Sequence, residues 1–541
     1  MSAMKGIVAA PQPIACEAGR WALERGGNAI DAAVATAFAQ AVVDPFNCSP
    51  GGFGTMHVFI AETGEDVVLD FHGRVGSGAH PSVFEKDVIS QIEGHAERYD
   101  VRDHANQVGY RAITVPGMVK GLGLAVERHG RLAWREALQP AIGLARNGFE
   151  VYGELYRSWN EPTEPGHLDT LTRAQATKAC EAIFTRDGRL YGPGEVLVQA
   201  DLARTLEVLA AEGPDTFYHG SLARRIAEDL HRHGAFVTAE DLAAYAAEVR
   251  APVIGPYRGW RVSSSPPPGS GVQILQILNI LEGYELDAMD PASADYVYLW
   301  IQAQRYSFAD RTRHLGDPAF VEVPVDLLTS KAYAAELRRR IDAGESVEVP
   351  KVAAPRPEHT TQVTTLDGAG NAVSLTHTLG TSAGVVTPGL GFMYNNAMYQ
   401  FNPLPGSPNS IEPGKRRITG ISPSFAFKDG RLRLALGGPG GTRILTGIAA
   451  VIVNVIDHAM TAVEAVSAPR VYCDGPVARI EGRLFHGVEA ALRARGERIR
   501  CSEFSYDPFF SPVSAIVIDA ERDRATAASD PRAGGGVVVV R

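Results

Sequence analysis

One threonine pair in the sequence has a position that suits nucleophilic chemistry. The stretch EHTTQV (358–363) follows a segment rich in proline and small or charged residues, and it opens an alternating run of Val and Thr. A threonine hydroxyl is a weak nucleophile until a base takes its proton, and an N-terminal threonine carries that base in its own α-amine. The pattern predicts cleavage between His359 and Thr360, with Thr360 as the nucleophile. Ordinary strand formation, which threonine favours, is the alternative.

A glycine-rich turn further along the chain could serve the same reaction. GGPGGTR (437–443) joins a predicted strand to an apolar predicted helix. Consecutive backbone N–H groups at a helix start can stabilise an oxyanion, or they can hold a phosphate. The lysine of a phosphate-binding P-loop is missing, because Gly441-Thr442-Arg443 stands there. A tight turn that needs glycine for its backbone angles is the third interpretation.

Two polar stretches, NNAMYQF (395–401) and GKRRITGISPSF (414–425), lie between these motifs. Their side chains could bind a substrate, or they could belong to ordinary loops. The Pro-rich stretch SSSPPPGSG (263–271) predicts a rigid loop between a strand and a helix, of a kind that can also line a cleft.

The elements that must position these motifs alternate between strand and helix. The first hundred residues predict a strand, two helices hinged at Gly26-Gly27 and a hairpin, and residues 114–340 are mostly helical. Residues 343–359 have the composition of a flexible linker. A hairpin with a DGAGN turn, a strand–turn–helix unit and short final strands follow. Strands at both ends with helices between them predict layered sheets covered by helices.

Composition narrows the class of protein. The 541 residues carry a net charge of −10 and are 45% hydrophobic, which argues against a nucleic-acid binder. No apolar run reaches the length of a membrane span, and no clear secretory signal is present, so we expect a cytoplasmic protein; a start site further upstream could hide a signal. Five scattered cysteines and the absence of ligand-spaced His, Asp and Glu predict neither a metal site nor another cofactor.

Together, many of these stretches resemble the gamma-glutamyltranspeptidase family of N-terminal-nucleophile hydrolases. The resemblance runs through nearly the whole chain and keeps the family's order of motifs. It is carried by GGNAIDAAVATAFAQAVVDP, PGGFG, TVPGMVKGLGLAVERHG, QPAIGLARNGF, SSPPPGSGVQILQILNILEG, SFADRTRHLGDPAFVEVP, TTQVTTLDGAGNAVSLTHTL, YNN, PGKRRITGISPSF and GGPGGTRI.

The resemblance implies an α/β (α+β) fold, a four-layer αββα sandwich built from one precursor. Cleavage would give a large subunit (1–359), ending in the flexible linker 343–359, and a small subunit (360–541). The two would form one composite domain, and two such heterodimers could pair. By resemblance, Thr360 is the nucleophile, Thr378 hydrogen-bonds it and aids processing, and Gly440 and Gly441 form the oxyanion hole. No cofactor or metal is implied.

The chain differs from the family at the residues that bind a γ-glutamyl group. The arginine that holds the glutamate carboxylate is matched by His72, and Arg74 fits only if the loop shifts by two residues. The family's Ser-Ser pair is matched by Thr419-Gly420, and the acidic residue that holds the ammonium by Gln400. Gly380 and Ala397 replace an amide and a Gln or Glu near the nucleophile, and the stretch from Gln400 to Thr419 leaves little room for a lid.

These departures predict a self-processing amide hydrolase or acyltransferase with altered acyl specificity. Dicarboxylic acyl groups or oxamate are candidates by resemblance, with Arg74, Arg416 or Arg417 available for a substrate carboxylate unless they are surface charges. Water or an amine would accept the acyl group. The alternatives are a true γ-glutamyl enzyme acting on glutathione-like substrates, a catalytically idle family member and a phosphate-binding protein.

Overall fold

The computed structural model describes residues 4–92, 98–161, 163, 166–345, 347–349, 359–484, 487–519, 522 and 524–541. Most of the linker predicted at 343–359 lies outside the described residues. At its ends, α-helix Lys331–Asp342 precedes it, and His359 already belongs to a strand.

The described helices have the following bounds: α1 Pro13–Glu24, α2 Ala29–Val43, α3 Met118–His129, α4 Trp134–Ala137, α5 Gln139–Asn147, α6 Gly153–Trp159, α7 Thr170–Ala174, α8 Lys178–Phe184, α9 Ala200–Glu212, α10 Ser221–Arg232, α11 Ala239–Ala244, α12 Gly271–Leu281, α13 Ala294–His314, α14 Val325–Leu328, α15 Lys331–Asp342, α16 Arg443–Ile456, α17 Ala462–Ser467 and α18 Val488–Ala494. Short 3-10 turns occur at Glu85–Asp87, Arg102–His104, Tyr110–Ala112, Pro214–Phe217, Leu286–Ala288, Ala397–Gln400, Gly482–Leu484 and Pro531–Ala533.

The described strands have the following bounds: β1 Gly6–Ala10, β2 Phe53–Ile60, β3 Glu65–Phe71, β4 Val88–Gln91, β5 Tyr99–Val101, β6 Phe149–Glu150, β7 Thr185–Arg186, β8 Arg189–Leu190, β9 Val196–Leu197, β10 Glu248–Arg250, β11 Val253–Tyr257, β12 Trp260–Ser264, β13 His359–Asp367, β14 Ala372–Gly380, β15 Ser424–Lys428, β16 Arg431–Gly437, β17 Val471–Tyr472, β18 Val477–Ile480, β19 Arg498–Cys501, β20 Ser514–Asp519, β21 Arg524–Ser529 and β22 Gly536–Val540.

Two antiparallel sheets form the centre of the molecule. The first has the order β10-β3-β2-β14-β13-β1-β22, and the second has the order β11-β12-β15-β16-β20-β21. In the first sheet, β13 and β14 from the C-terminal third are flanked by β1 and β2 from the N-terminal region. Chain on both sides of the predicted cut therefore shares one hydrogen-bonded sheet.

Three apolar layers hold the sheets and helices together. A small cluster that includes Ile7, Leu366, Phe425 and Ile516 lies between the two sheets. A large cluster joins the first sheet to α1, α2 and the helices that follow, and another joins the second sheet to α12, α13 and α16. This arrangement confirms the predicted αββα sandwich. Within the described residues, no helix is both long and apolar enough to cross a membrane.

Helix α2 shows how the sequence builds the layer beneath β13 and β14. Asn28 accepts hydrogen bonds from the N–H groups of Ile30 and Asp31 at 3.0 and 3.1 Å, while Asp31 accepts from the N–H of Asn28 at 2.9 Å. This capping box starts a 15-residue helix that is buried along its whole length. Its many alanines let the helix approach the sheet closely, because small side chains shorten the distance between packed elements.

Phe38 gives a test of this layer, because it is fully buried on α2 and its ring meets that of Trp134 edge-on at 5.4 Å. We expect Phe38→Ala to lower the free energy of unfolding by about 3–5 kcal/mol, since it removes buried area and leaves a cavity. Urea titration measures this. Phe320→Ala, at a ring that is 42% exposed, is the control and should change the value by no more than about 0.5 kcal/mol. Equal losses in both variants would contradict the packing described for α2.

Candidate active site

Thr360 lies at the start of β13, directly opposite Thr378 on β14. The Thr360 hydroxyl donates a hydrogen bond to the Thr378 hydroxyl oxygen at 3.1 Å, and the N–H of Gly380 donates to that same oxygen at 2.8 Å. Thr378 is fully buried, and only 8% of Thr360 is exposed. The position of the predicted nucleophile is thus fixed by a neighbouring strand, because two threonine hydroxyls face one another across the ladder.

The glycine-rich turn lies beside this pair. Gly440 has a φ of +124° and Gly441 a φ of +62°, a region that L-residues with side chains rarely adopt. The turn is held by Ser511, whose hydroxyl donates to the Pro439 carbonyl at 2.6 Å, and by Arg443, whose Nε donates to the Gly440 carbonyl at 2.9 Å. Helix α16 begins immediately afterwards, so its positive N-terminal end adjoins the turn.

Thr360 and Gly440 line the same cavity, which has a volume of about 100 Å³. This places a hydroxyl nucleophile and a glycine backbone at a helix start around one small space. Such an arrangement suits attack on a carbonyl carbon with stabilisation of the oxygen anion that forms. Within the described residues, no three His, Cys, Asp or Glu side chains are grouped as a metal ion would require.

A buried polar network lies behind Thr360, and no local pattern in the sequence predicts it. Gln12 accepts from the Thr361 hydroxyl at 3.0 Å and donates to the Asp44 carboxylate at 2.6 Å. Gln40 on α2 donates to the same Gln12 oxygen at 2.7 Å, and its own carbonyl lies 2.8 Å from Nε2 of His377. These contacts tie the start of β13 and the end of β14 to the N-terminal region.

Burial changes the acidity of two groups in this network. It raises the pKa of Asp44 to about 6, although Asn47 and Gln12 donate hydrogen bonds that oppose the rise. It lowers the pKa of His377 to about 3, so His377 is neutral at physiological pH.

On the strand at the other side of Thr378, an aromatic ring has two nitrogen-bearing side chains near it. Phe53 on β2 is the residue paired with Thr378. The ring of His72 lies 5.8 Å from the Phe53 ring, and the Arg417 guanidinium lies 5.2 Å from it. Both side chains are nearly buried, at 3% and 4% exposure. His72, predicted from the family arginine position, is therefore close to the catalytic strands, and so is Arg417.

Most of the neighbouring charges are already paired. Arg416 forms ion pairs with Asp70 at 2.8 Å, Asp317 at 2.8 Å and Glu248 at 3.0 Å. Arg74, the alternative carboxylate ligand, forms an ion pair with Glu248 and is about one-third exposed. Burial alone would raise the pKa of Asp70, but the charges of His72 and Arg416 lower it well below its usual range.

Comparison with known proteins agrees with the geometry. A family model described as Gamma-glutamyltranspeptidase matches residues 15–540. The Acylase ACY 1 proenzyme of Pseudomonas sp. (strain SE83) is 40% identical over 502 residues, which cover 92% of this chain and 88% of that protein. The Glutathione hydrolase proenzyme of Escherichia coli (strain K12) is 35% identical over 524 residues, covering 93% and 87%.

The chain belongs to the gamma-glutamyltranspeptidase family. Solved structures agree: cephalosporin acylase from Bacillus halodurans superposes with a TM-score of 0.87 at 29% identity, covering 99% of this chain and 96% of that one. The Helicobacter pylori gamma-glutamyltranspeptidase superposes with a TM-score of 0.55 at 35% identity, covering 61% and 90%. Membership confirms the resemblance inferred from the motifs, and it makes the chain an enzyme of a family whose members are synthesised as proenzymes.

The family's Ser-Ser position has a physical reason to be Thr419-Gly420 in this chain. A β-carbon added at Gly420 would lie 1.9 Å from the Gly441 carbonyl oxygen, so a side chain there would displace the glycine-rich turn. The Thr419 hydroxyl accepts from the N–H of Ile421 at 3.1 Å, while its N–H donates to the Pro268 carbonyl at 3.0 Å. These two residues shape the site through backbone contacts.

Two further predicted positions, Gln400 and Gly380, lie in a short helical turn and at the end of β14. Gln400 ends the short helical turn Ala397–Gln400 and is half-buried, and its main-chain carbonyl accepts from Asn409 at 2.8 Å. A β-carbon at Gly380 would lie 2.5 Å from the Asn396 side-chain oxygen, which accepts from the N–H of Thr381 at 2.8 Å. The space of the family's amide at position 380 is thus partly taken by Asn396.

The neutral state of His377 leads to a prediction about pH. In the unfolded chain His377 binds a proton near pH 6.5, but in the folded chain only near pH 3. Acid therefore favours unfolding between these values, and from pH 6.5 down to pH 5 the loss due to His377 is about 2 kcal/mol. We expect His377→Gln to escape this loss. Urea titrations should therefore show that the difference in free energy of unfolding between the wild type and this variant shrinks by that amount from pH 6.5 to pH 5. A deficit that does not change with pH would mean that the folded protein protonates His377 as readily as the unfolded chain.

Proposed function

We propose that the chain cleaves itself between His359 and Thr360 and then acts as an amide hydrolase or acyltransferase. The Thr360 hydroxyl would attack the carbonyl carbon of residue 359. The C–N bond would break, the amine would keep the displaced proton, and water would hydrolyse the ester that forms. The observation that carries the proposal is the hydroxyl pair Thr360–Thr378, placed beside Gly440 on one cavity.

In the processed enzyme, the α-amine of Thr360 is the base that takes the hydroxyl proton. The hydroxyl attacks a substrate amide, and the N–H groups of Gly440 and Gly441 stabilise the oxygen anion. The substrate's amine leaves with the proton, and water or another amine then releases the acyl group. Thr378 orients the Thr360 hydroxyl throughout, since it is held in turn by the N–H of Gly380.

The acyl group that best suits the site carries a carboxylate without an α-ammonium. Arg417 and His72 lie around Phe53, next to Thr378, where a carboxylate of the acyl chain would meet them. Gln400 brings no charge for an ammonium. A charge-assisted hydrogen bond contributes roughly 1.5–3 kcal/mol, so its loss weakens γ-glutamyl recognition substantially. Glutaryl-like acyl groups and oxamate are the candidates, and two of the relatives are named acylases.

True γ-glutamyl hydrolysis is the second candidate, because a relative with 35% identity is named a glutathione hydrolase. It would require a neutral Gln400 amide to accept from the ammonium, and Arg74 to leave Glu248 for the glutamate carboxylate. Arg416 is less suited to that role, since three carboxylates already surround it.

Two further expectations concern the whole protein. We propose a cytoplasmic location, which cell fractionation can test. Pairing of two heterodimers also stays a prediction, and light scattering of the processed protein would measure it.

The first test is the mass of the purified protein under denaturing conditions. We expect the wild type to give two fragments that meet at His359/Thr360, and Thr360→Ala to stay as one chain without amidase activity. Thr360→Ser is the matched control, since it keeps a hydroxyl; it should still be cut, more slowly. A Thr360→Ala protein that still hydrolysed amides would exclude Thr360 as the nucleophile.

The second test compares p-nitroanilides of glutarate, oxalate and γ-glutamate. We expect kcat/KM for the γ-glutamyl compound to be at least about 100-fold below that of the better alternative, which corresponds to about 2.7 kcal/mol. Arg417→Gln should lower kcat/KM for the preferred dicarboxylic substrate about tenfold or more, while Arg417→Lys keeps part of it. A preference for the γ-glutamyl compound would select the second candidate function.

A further inference from the structure

The small cavity at Thr360 adjoins a much larger one. The large cavity has a volume of about 680 Å³, within the range of sites that hold drug-sized ligands. The two cavities share the lining residues Glu154, Arg157, Glu161, Pro508, Phe510 and Arg532. The two cavities are therefore neighbours with a common wall, and the larger space is here called the outer cavity.

Neither cavity is lined by the residues assigned to the acyl group. His72, Arg417 and Gln400 are absent from both linings, as are Thr419 and Gly420. An amide has two halves on either side of its carbonyl, so a site that holds the acyl half on one side of Thr360 leaves the other side to the amine half. We propose that the two cavities form the subsite for the amine of the substrate or acceptor, and that they select an amine carried on an aromatic group.

Asp44 gives the inner cavity a hydrogen-bond acceptor for an amine. Its side chain lines this cavity and is only 2% exposed. One carboxylate oxygen accepts from Gln12 at 2.6 Å and from Asn47 at 2.9 Å, while the other has no hydrogen-bond partner among the described residues. A buried carboxylate oxygen without a donor is costly, and the N–H of an amine would satisfy it once the side chain turns toward the cavity. Gln12 also bonds Thr361, which keeps Asp44 linked to the residue after the nucleophile.

The outer cavity supplies the aromatic contacts. Phe504 and Tyr506 line it and are exposed by 61% and 43%, and the nearly buried Phe509 and Phe510 line it as well. Large exposed rings gathered around a cavity are typical of a binding surface. A flat aromatic group on the amine would stack on these rings, whereas a short aliphatic amine would leave them uncovered.

The ion pairs in the shared wall can be displaced at a small cost in free energy. Arg157 forms ion pairs with Glu154 and Glu161, and all three side chains are partly exposed. Such solvent-accessible pairs contribute little to stability, so a ligand can displace them. The buried neighbour Arg532 is instead fixed by Glu481 and Asp530 at 2.8 Å each, which gives the passage one rigid side.

This inference rests on the acyl-enzyme of the proposed function, and the experiment separates the two. The processed enzyme is acylated with its preferred p-nitroanilide in the presence of 2-phenylethylamine or propylamine. The amine nitrogen attacks the acyl ester and the bond to the Thr360 oxygen breaks. The amine's proton passes through the α-amine of Thr360 to that oxygen, which restores the hydroxyl. Both are primary amines on an alkyl carbon, but 2-phenylethylamine is the weaker base. Their concentrations are therefore compared as free base, so that the phenyl ring is the remaining difference between them.

We expect 2-phenylethylamine to capture the acyl group at about one-tenth of the propylamine concentration, measured as new amide against free acid. Phe504→Ala and Tyr506→Ala should each reduce this preference by about threefold or more, as loss of one aromatic contact implies. Phe320→Ala removes a ring of comparable exposure that lines neither cavity, and it should keep the preference.

Asp44→Asn tests the polar end of the subsite. It should lower capture of both amines relative to water about tenfold, while cleavage at Thr360 still occurs. Asp229→Asn is the matched control, because Asp229 is a similarly buried carboxylate, at 4% exposure, and lines neither cavity.

The outcomes separate as follows. Absence of p-nitroaniline release in the wild type would overturn the proposed function itself. Release with equal capture of both amines, or a preference that survives both ring variants, would overturn the amine subsite while the hydrolase stands. If the effect of the ring variants depended on the acyl group of the substrate and not on the amine, the acyl half would lie in these cavities. That result would equally overturn the inference.

Discussion

The site depends on the register between β13 and β14. One hydrogen-bonded ladder places Thr360 opposite Thr378, and the same ladder, continued to β2, places Phe53 beside Thr378. Because side chains alternate between the faces of a strand, a slip of one residue would move the nucleophile away from its partner and toward the opposite layer. The pairing of the strands therefore sets the positions of the site residues, and the two helical layers hold the strands in place.

The parts of the fold that the sequence predicted are those with local signals. The period-two runs and the DGAGN turn predicted β13 and β14, and Gly26-Gly27 marked the boundary between α1 and α2. The αββα arrangement, by contrast, followed from resemblance to a family. Thr360, Thr378 and Gly440 could be predicted because their motifs are contiguous stretches, and the structure brings Thr360 together with each of the other two.

The rest of the site could not be predicted, because it is made of contacts between residues far apart in the chain. Gln12 and Gln40 look like ordinary polar residues near the N-terminus, yet they join Asp44 to Thr361 and His377. Gly420 also gives no local sign that it must pass close to the Gly441 carbonyl. A clue was present for Asp44, since a charged residue at the end of an apolar helix needs partners when it is buried.

Strand β1 has a consequence for how the protein can be made. It pairs with β13 on one side and β22 on the other, and Lys5 donates its N–H to the Val540 carbonyl at 2.8 Å. The first and last strands are thus neighbours, and a short peptide could bridge them. A circularly permuted chain that begins at Thr360 would need no zymogen stage: once its initiator methionine is removed, the ribosome, rather than a cleavage reaction, would have supplied the free amine.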